Sequence, residues 1–458
     1  MSYGPALTYF LEKLSGVSTN IFRLEAQTGD SATANRILRF SLPSNSLLNL
    51  RSFCLHFNAS CGGSATGGGR LPAKIDTLIE RVEVSVGGVQ LSSGCNFYNV
   101  LRHAKDALQG DSCDSVLGHP EICRQKSYVN GLGAGAAVLS TTLNESYLPD
   151  NKACQFAIDT WEGFLGTCEP KILDSSLFPD MVIAIYLTDN NVLTTSAGVA
   201  LDGTGLVDIT DVGTGSVTYT MNNIHATIEC LGLNDSVYDN MVSSTIASKG
   251  SLDIGFKQYL SFQDTTANSL RFSLATQSLD RLWVAHRTPA YGTQAAPKRV
   301  NGYKKWDTTN SLGGIADYDA GGSLSTNKEK YIGNYYNFVE PSSATKMTYQ
   351  FSLNGSFYPQ FQATWEEMYV ISRNSVLGEP QEMMGLDTMK NNYSVQVIRL
   401  NLPESEYGRV QSGLDTRGIS LNAFYNLYNC STAATINLFA ECSSTLRIGA
   451  GKQLEVIQ

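Results

Sequence analysis

Apolar and polar residues alternate through Leu38-Arg-Phe-Ser-Leu42, placing Leu38, Phe40 and Leu42 on one side and Arg39 and Ser41 on the other. A period of two marks a half-buried strand. The same five residues return as Leu270-Arg-Phe-Ser-Leu274, 232 positions later (270 minus 38). Ser46-Leu47 recurs as Ser278-Leu279, and Leu50 as Leu282, at the same offset. One shared pentapeptide is weak evidence in a long chain, but a register kept over three further positions argues against chance. The chain reads as one β unit used twice.

The pattern before and after these strands predicts the remaining elements. Leu7, Phe10, Leu11 and Leu14 fall on one face of a short helix from Pro5 to Ser15, with Pro5 suited to its first turn and Gly16 to its stop. Asn20–Gln27 is a strand, Thr28-Gly29-Asp30 a turn, and Leu50–Phe57 an apolar continuation. The Gly- and Ser-rich stretch 59–69 is expected to be a mobile loop. Val82, Val84 and Val86 alternate with Glu83 and Ser85, and Gly87-Gly88 returns the chain through Val89 and Leu91, a hairpin. Phe97, Val100, Leu101, Ala104 and Leu108 then keep helical spacing. Residues 109–153 and 193–215 are irregular; Cys154–Asp159, Phe178–Leu187 and Val217–Leu231 are strands, with a bend at Pro170.

The second half restarts near Leu252. Asn354-Gly355 supplies a strong hairpin turn, and Trp365, Met368 and Tyr369 echo the helix that followed the first hairpin. Ser394–Leu402, Ile419–Tyr428, Ala434–Glu441 and the pair Leu446–Ile448 and Leu454–Val456 complete the strands. The halves differ between the repeated strand and the next hairpin. Pairing Gly88 with Gly355 gives an offset of 267, so the second half carries 35 more residues there (267 minus 232). That segment, 288–345, is rich in Tyr, including Tyr331, Tyr335 and Tyr336. Tyr gives contact area at low entropic cost; these three are candidates for an ordered outer loop.

Composition narrows the class. At 458 residues the chain suits two β domains of about 220–230 residues. Only 16% of residues are charged, while 41 Gly and 22 Tyr fit a turn-rich β protein. A net charge of −9 without a block of Lys and Arg argues against direct nucleic-acid binding. No secretory signal or stretch of transmembrane length is read, and contact of the N-terminal helix with a membrane surface is the lesser reading. Ten Cys without a Cys-x-x-Cys pair are read as buried free thiols.

Reactive chemistry finds little support. His56, His103, His119, His225 and His286 lack metal-ligand spacing. Adjacent Glu366 and Glu367 sit on different faces of a helix, poor geometry for paired glycosidase carboxylates, and Glu404 and Glu406 are the other pair. Asp317-Tyr-Asp319 lacks the further ligands of a calcium loop. Gly131-Leu-Gly-Ala-Gly135 lacks the Lys-Ser or Lys-Thr of a phosphate loop. No catalytic, cofactor or metal site is expected.

Ile79-Glu-Arg-Val-Glu-Val-Ser-Val-Gly-Gly-Val-Gln90, followed by a helix, resembles the first-domain hairpin of double jelly-roll major capsid proteins. Leu353-Asn-Gly355 with Tyr358-Pro359 resembles the matching turn of the second roll, Ser412–Ile419 the segment before its late strands, and Leu446–Ile457 the closing strands. Chain length and the N-terminal helix are most like the polinton-like and virophage branch. The resemblance implies an all-β chain of two tandem eight-stranded jelly rolls with short helices in loops: an N-terminal helix or arm at 1–17, a first roll at 18–240 and a second at 241–458. It implies a non-enzymatic homotrimer, a pseudo-hexagonal tile of an icosahedral virion shell, with penton and minor capsid proteins as partners. Leu7, Phe10, Leu11 and Leu14 would then serve assembly on the inner side. The alternative is a two-domain carbohydrate-binding or glycan-processing β-sandwich protein.

Overall fold

The computed structural model describes residues 18–44, 46–63, 69–72, 74–92, 95–109, 154–177, 179–195, 199–201, 207–209, 217–232, 251–287, 305–306, 315–316, 338, 346–376, 394–401, 413–418, 423–431, 433–449 and 453–457. Among the described residues, short strands at Ser31–Thr33, Ile172–Asp174 and Leu454–Ile457 extend the sheets, and sixteen main strands build two sandwiches. In the first they are β1 (Ser18–Glu25), β2 (Ile37–Ser41), β3 (Leu47–Gly63), β4 (Ile79–Val86), β5 (Val89–Ser92), β6 (Cys154–Ile158), β7 (Met181–Leu187) and β8 (Val217–Gly232). In the second they are β9 (Ser251–Thr266), β10 (Ser269–Phe272), β11 (Leu279–Arg287), β12 (Thr348–Leu353), β13 (Ser356–Thr364), β14 (Val395–Arg399), β15 (Ala423–Tyr428) and β16 (Ala434–Gly449).

The first sandwich pairs a sheet of order β1-β8-β3-β6 with one of order β2-β7-β4-β5. The second pairs β9-β16-β11-β14 with β10-β15-β12-β13. Adding eight to each label of the first sandwich gives the second. This interleaved antiparallel order is the jelly roll, in which sequence neighbours cross between facing sheets. Helix α1 (Tyr98–Gln109) follows β5, and α2 (Trp365–Ser375) follows β13, so the helices repeat too.

The alternation read from sequence decides which side chains meet between the sheets. Leu38, Phe40 and Leu42 are buried and Arg39 and Ser41 exposed; Leu270, Phe272 and Leu274 repeat this. Phe40 packs edge-on to Phe53 at 5.9 Å, and Phe272 meets Phe262 at 5.5 Å. The repeated pentapeptide therefore supplies the same strand, β2 and β10, in each roll. The hairpin turns also agree: Gly87 and Gly88 have φ of 54° and 83°, Asn354 and Gly355 φ of 49° and 82°. Two successive left-handed residues match the twist of the flanking strands, which is why Gly and Asn stand there.

Three differences from the sequence reading have physical causes. First, the Gly- and Ser-rich stretch is not wholly a loop. Residues 59–63 continue β3 and pair with Val217–Met221 of β8, because small residues extend a strand when a neighbour completes its ladder. Second, residue 338 lies within the segment assigned to the outer loop, yet Phe338 is fully buried and bridges Arg287 of β11. Third, β11 does not alternate: all nine of its residues are buried, as are Ala434–Cys442 of β16. A strand buried on both faces needs a second covering layer. The first roll provides it.

Candidate functional site at the junction of the two rolls

Helix α1 belongs to the first roll by sequence and packs between the two rolls. Val100, Leu101, Ala104 and Leu108 share a core cluster with Leu282, Trp283, Val397 and Phe439. In exchange, Ile254, Phe256, Leu446 and Ile448, at the ends of β9 and β16, join the first roll's core. Phe164, in a one-turn helix at Phe164–Thr167, meets Phe256 edge-on at 5.0 Å. Glu169 N donates to Gly255 O at 2.8 Å, and Gly255 N returns a bond to Glu169 O at 3.1 Å. Lys257 N donates to Thr167 Oγ1 at 2.8 Å. The helical spacing read from Phe97 to Leu108 agrees with α1.

The other side of α1 is polar and also buried. Arg102 reaches Glu162 at 3.2 Å, Asp76 at 3.5 Å and Asp106 at 3.7 Å. Lys105 reaches Glu162 at 2.5 Å and donates to Tyr259 Oη at 3.1 Å. Lys74 binds Asp106 at 2.8 Å. Three cations and three carboxylates thus balance in a site that water barely enters: Arg102 is 4% exposed and Glu162 9%. Burial would raise the Glu162 carboxyl, but Lys105 and Arg102, with hydrogen bonds from Lys105 and Tyr259, hold it below the usual range. Burial pushes the Tyr259 hydroxyl well above its ordinary value, with Glu162 and Glu441 adding to the rise. On the facing strand, Trp283 Nε1 donates to Glu441 Oε2 at 2.9 Å and Arg281 approaches Glu441 at 3.6 Å. Lys105 stands 5.2 Å from the Tyr259 ring centre and 5.9 Å from that of Trp283.

This arrangement neutralises charge and fixes orientation. All six charges belong to the first roll, and the second roll docks on them through Tyr259, whose hydroxyl accepts from Lys105 at 3.1 Å and donates to Glu162 at 3.1 Å. The junction thus joins the two rolls through apolar packing, the Glu169–Gly255 backbone pair and the hydrogen bonds of Tyr259.

The residues singled out from sequence fall elsewhere. Leu7, Phe10, Leu11 and Leu14, and Tyr331, Tyr335 and Tyr336, lie outside the described residues, as do Asp317, Asp319, Glu404, Glu406, His119 and the 131–135 glycine string. Glu367 caps α2 reciprocally with Thr364, and Glu366 pairs with Lys346 at 3.6 Å. His103 bonds Thr77, and His286 bonds Ser394 and Tyr425 in the second core. The histidines are less scattered than their spacing suggested: His56 and His225 stack at 5.1 Å across β3 and β8. Burial, then His225 and Arg23, lower the His56 pKa. Among the described residues no three His, Cys, Asp or Glu gather as a metal site. Cys168 and Cys442 are buried free thiols, pushed up to about 11 and about 12 by burial.

No protein-family model and no curated protein matches the chain. Solved structures do. The Faustovirus major capsid protein superposes with a TM-score of 0.56 at 12% identity, covering 97% of this chain and 91% of that one. The PBCV-1 virus capsid, as a quasi-atomic model, gives 0.52 at 12%, covering 96% and 97%. The PBCV-1 crystal structure fitted into a reconstruction of the virophage Sputnik gives 0.53 at 13%, again covering 96% and 97%. Along almost its whole length, the chain has the double jelly-roll fold seen in these viral major capsid proteins.

Proposed function

We propose that the chain is a non-enzymatic major capsid protein whose activity is self-assembly in the shell of a virion. The observation that carries this reading is the doubling: two jelly rolls of equivalent topology, packed across a buried junction, over nearly the full length of capsid proteins with the same fold. Two like units in one chain and three chains in a ring give six similar units, so a homotrimer is a pseudo-hexagonal tile that fills an icosahedral lattice. Residues 1–17 form the arm, 18–240 the first roll and 241–458 the second. The amphipathic arm bearing Leu7, Phe10, Leu11 and Leu14 serves assembly on the inner side. The segment 288–345, with Tyr331, Tyr335 and Tyr336, faces outward apart from Phe338, which is buried against β11. Penton and minor capsid proteins are the further partners, and chain length supports the polinton-like and virophage branch.

Solution mass tests the reading: trimers are expected, and a chain that stays monomeric at high concentration opposes it. A sugar-binding role is the second reading, carried by Phe357 and Phe361, 40% and 52% exposed on edge strand β13. Binding on a glycan array, with loss in Phe361→Ala, would favour it.

A further inference from the structure

The two rolls differ where the first strand gives way to the second. In the second roll β9 runs unbroken from Ser251 to Thr266 beside β16, and only Ala267-Asn268 separate it from β10. In the first roll the equivalent run is interrupted. Strand β1 pairs with β8 as far as Glu25 and His225, a turn follows, and Ser31–Thr33 then resume the ladder opposite Asn222, Met221 and Thr220. Residues 26–36 thus lie between β1 and β2, where the second roll has only 267 and 268. Gly29, Asn35 and Asn223 turn the chain here with left-handed φ of 108°, 60° and 54°, a conformation that Gly and Asn adopt at least cost.

This detour builds a groove of about 780 Å³ beside β2, the edge strand of its sheet. The volume falls within the about 300–1,000 Å³ of small-ligand sites. Ser31, Thr33, Asn35 and Asn222 line it together with Arg36 and Arg39, and the lining residues include no carboxylate and no aromatic ring. All of them belong to the first roll, at the end of β8 that pairs with Asn58–Ser60 of β3 and away from the Glu169–Gly255 contact.

The two arginines are unusual for this chain. Other exposed arginines are matched by acids: Arg23 by Glu25, Arg417 by Asp415 and Arg447 by Asp253. The guanidinium groups of Arg36 and Arg39 make no hydrogen bond or ion pair among the described residues. In a chain of net charge −9, two uncompensated cations in one groove leave room for an anion. A guanidinium recognises a carboxylate or sulfate through paired N–H donors. Hydroxyl and amide side chains supply the donors and acceptors that sugar hydroxyls need. Single-stranded nucleic acid calls for aromatic faces on which bases stack, and the groove has none.

We propose that this groove binds an acidic oligosaccharide. Arg36 and Arg39 hold its carboxylate or sulfate, and Ser31, Thr33, Asn35 and Asn222 hold its hydroxyls. The site goes beyond the capsid reading and is separate from the exposed Phe357 and Phe361 of β13.

The test is calorimetric titration of the full chain at low salt with four probes of matched length: a sulfated heparin tetrasaccharide, tetragalacturonate, neutral maltotetraose and tetraglutamate. Binding of an acidic sugar is expected, without binding of the neutral sugar or the acidic peptide. The sulfated sugar alone would identify the anion as sulfate, and the uronate alone as carboxylate. Arg36→Gln and Arg39→Gln change exposed positions, and circular dichroism checks that the fold is kept. Each is expected to weaken binding about tenfold or more, as loss of a charged hydrogen bond does. Phe361→Ala is expected to leave it unchanged. The assignment is overturned if neither acidic sugar binds, if maltotetraose or tetraglutamate binds as tightly, or if Arg36→Gln with Arg39→Gln binds like the wild type. Inorganic sulfate that displaces the oligosaccharide at equal concentration would also overturn it, since the anion alone would then account for the affinity.

Discussion

Glu162→Gln tests how much the buried charge cluster beneath Tyr259 contributes to stability. The substitution keeps the side chain's shape and removes one negative charge. Arg102 and Lys105, 4% and 10% exposed, then share an amide in place of the carboxylate that sat 3.2 and 2.5 Å away. Three cations would face two carboxylates, Asp76 and Asp106, in a site closed to water. Breaking a buried pair by removing one partner costs about 3–5 kcal/mol. The amide oxygen still accepts one hydrogen bond, which places the cost near the low end, about 3 kcal/mol. For rolls of this size that is a fall in melting temperature of about 6–12 °C. Denaturant and thermal melts at pH 7 measure it. A double-mutant cycle with Lys105→Met should return a coupling of about 2 kcal/mol, since the residues are in contact. The pH dependence follows in sign. The folded pKa of Glu162 lies below its ordinary value of 4.5, so its contribution is complete above pH 4.5 and is lost as pH falls through the lower folded value. The gap between wild type and variant should therefore be full at pH 7 and close in acid. A gap under about 0.5 kcal/mol at pH 7 would refute the claim that these buried charges depend on one another.

Phe40→Ala and Phe272→Ala remove side chains that are 0% and 2% exposed, and each should cost about 3–5 kcal/mol in equilibrium unfolding; an unchanged midpoint in both would contradict their placement between the sheets. Burial holds His286 at about 4, against 6.5 in the unfolded chain, so the folded state resists a proton that the unfolded state accepts. Stability should be full above pH 6.5 and fall by roughly 3 kcal/mol down to pH 4; a flat profile across that window in denaturant melts would count against it. In intact particles, trypsin should reach Lys298, Arg299, Lys304 or Lys305 before any site in the first roll, and protection of that segment until disruption would place it inside.

Much of the fold was legible because strand alternation is local. Leu38, Phe40 and Leu42 alternate with polar residues whatever lies around them, and their repetition at 270–274 disclosed the doubling. The Gly87-Gly88 and Asn354-Gly355 turns were equally readable, since φ above zero narrows residue choice. The junction was harder to read because it joins residues far apart in sequence: Lys105 and Glu162 with Tyr259, Phe164 with Phe256. One signal did point to it. Leu282-Trp-Val-Ala285 breaks the alternation of the first-roll strand, and an apolar run in a sheet implies cover on both faces. Nothing in that run names α1 as the cover. The stacking of His56 on His225 was hidden for the same reason, since it depends on the register between β3 and β8.

The central claim is that this doubled chain builds a ring of six similar units from three copies, and one measurement bears on it most directly. Purified full-length protein should be weighed by light scattering and imaged in negative stain from the same fraction. The account predicts a mass three times 49.7 kDa and particles of hexagonal outline. A particle of 49.7 kDa at high concentration, or an assembly without hexagonal outline, would contradict it.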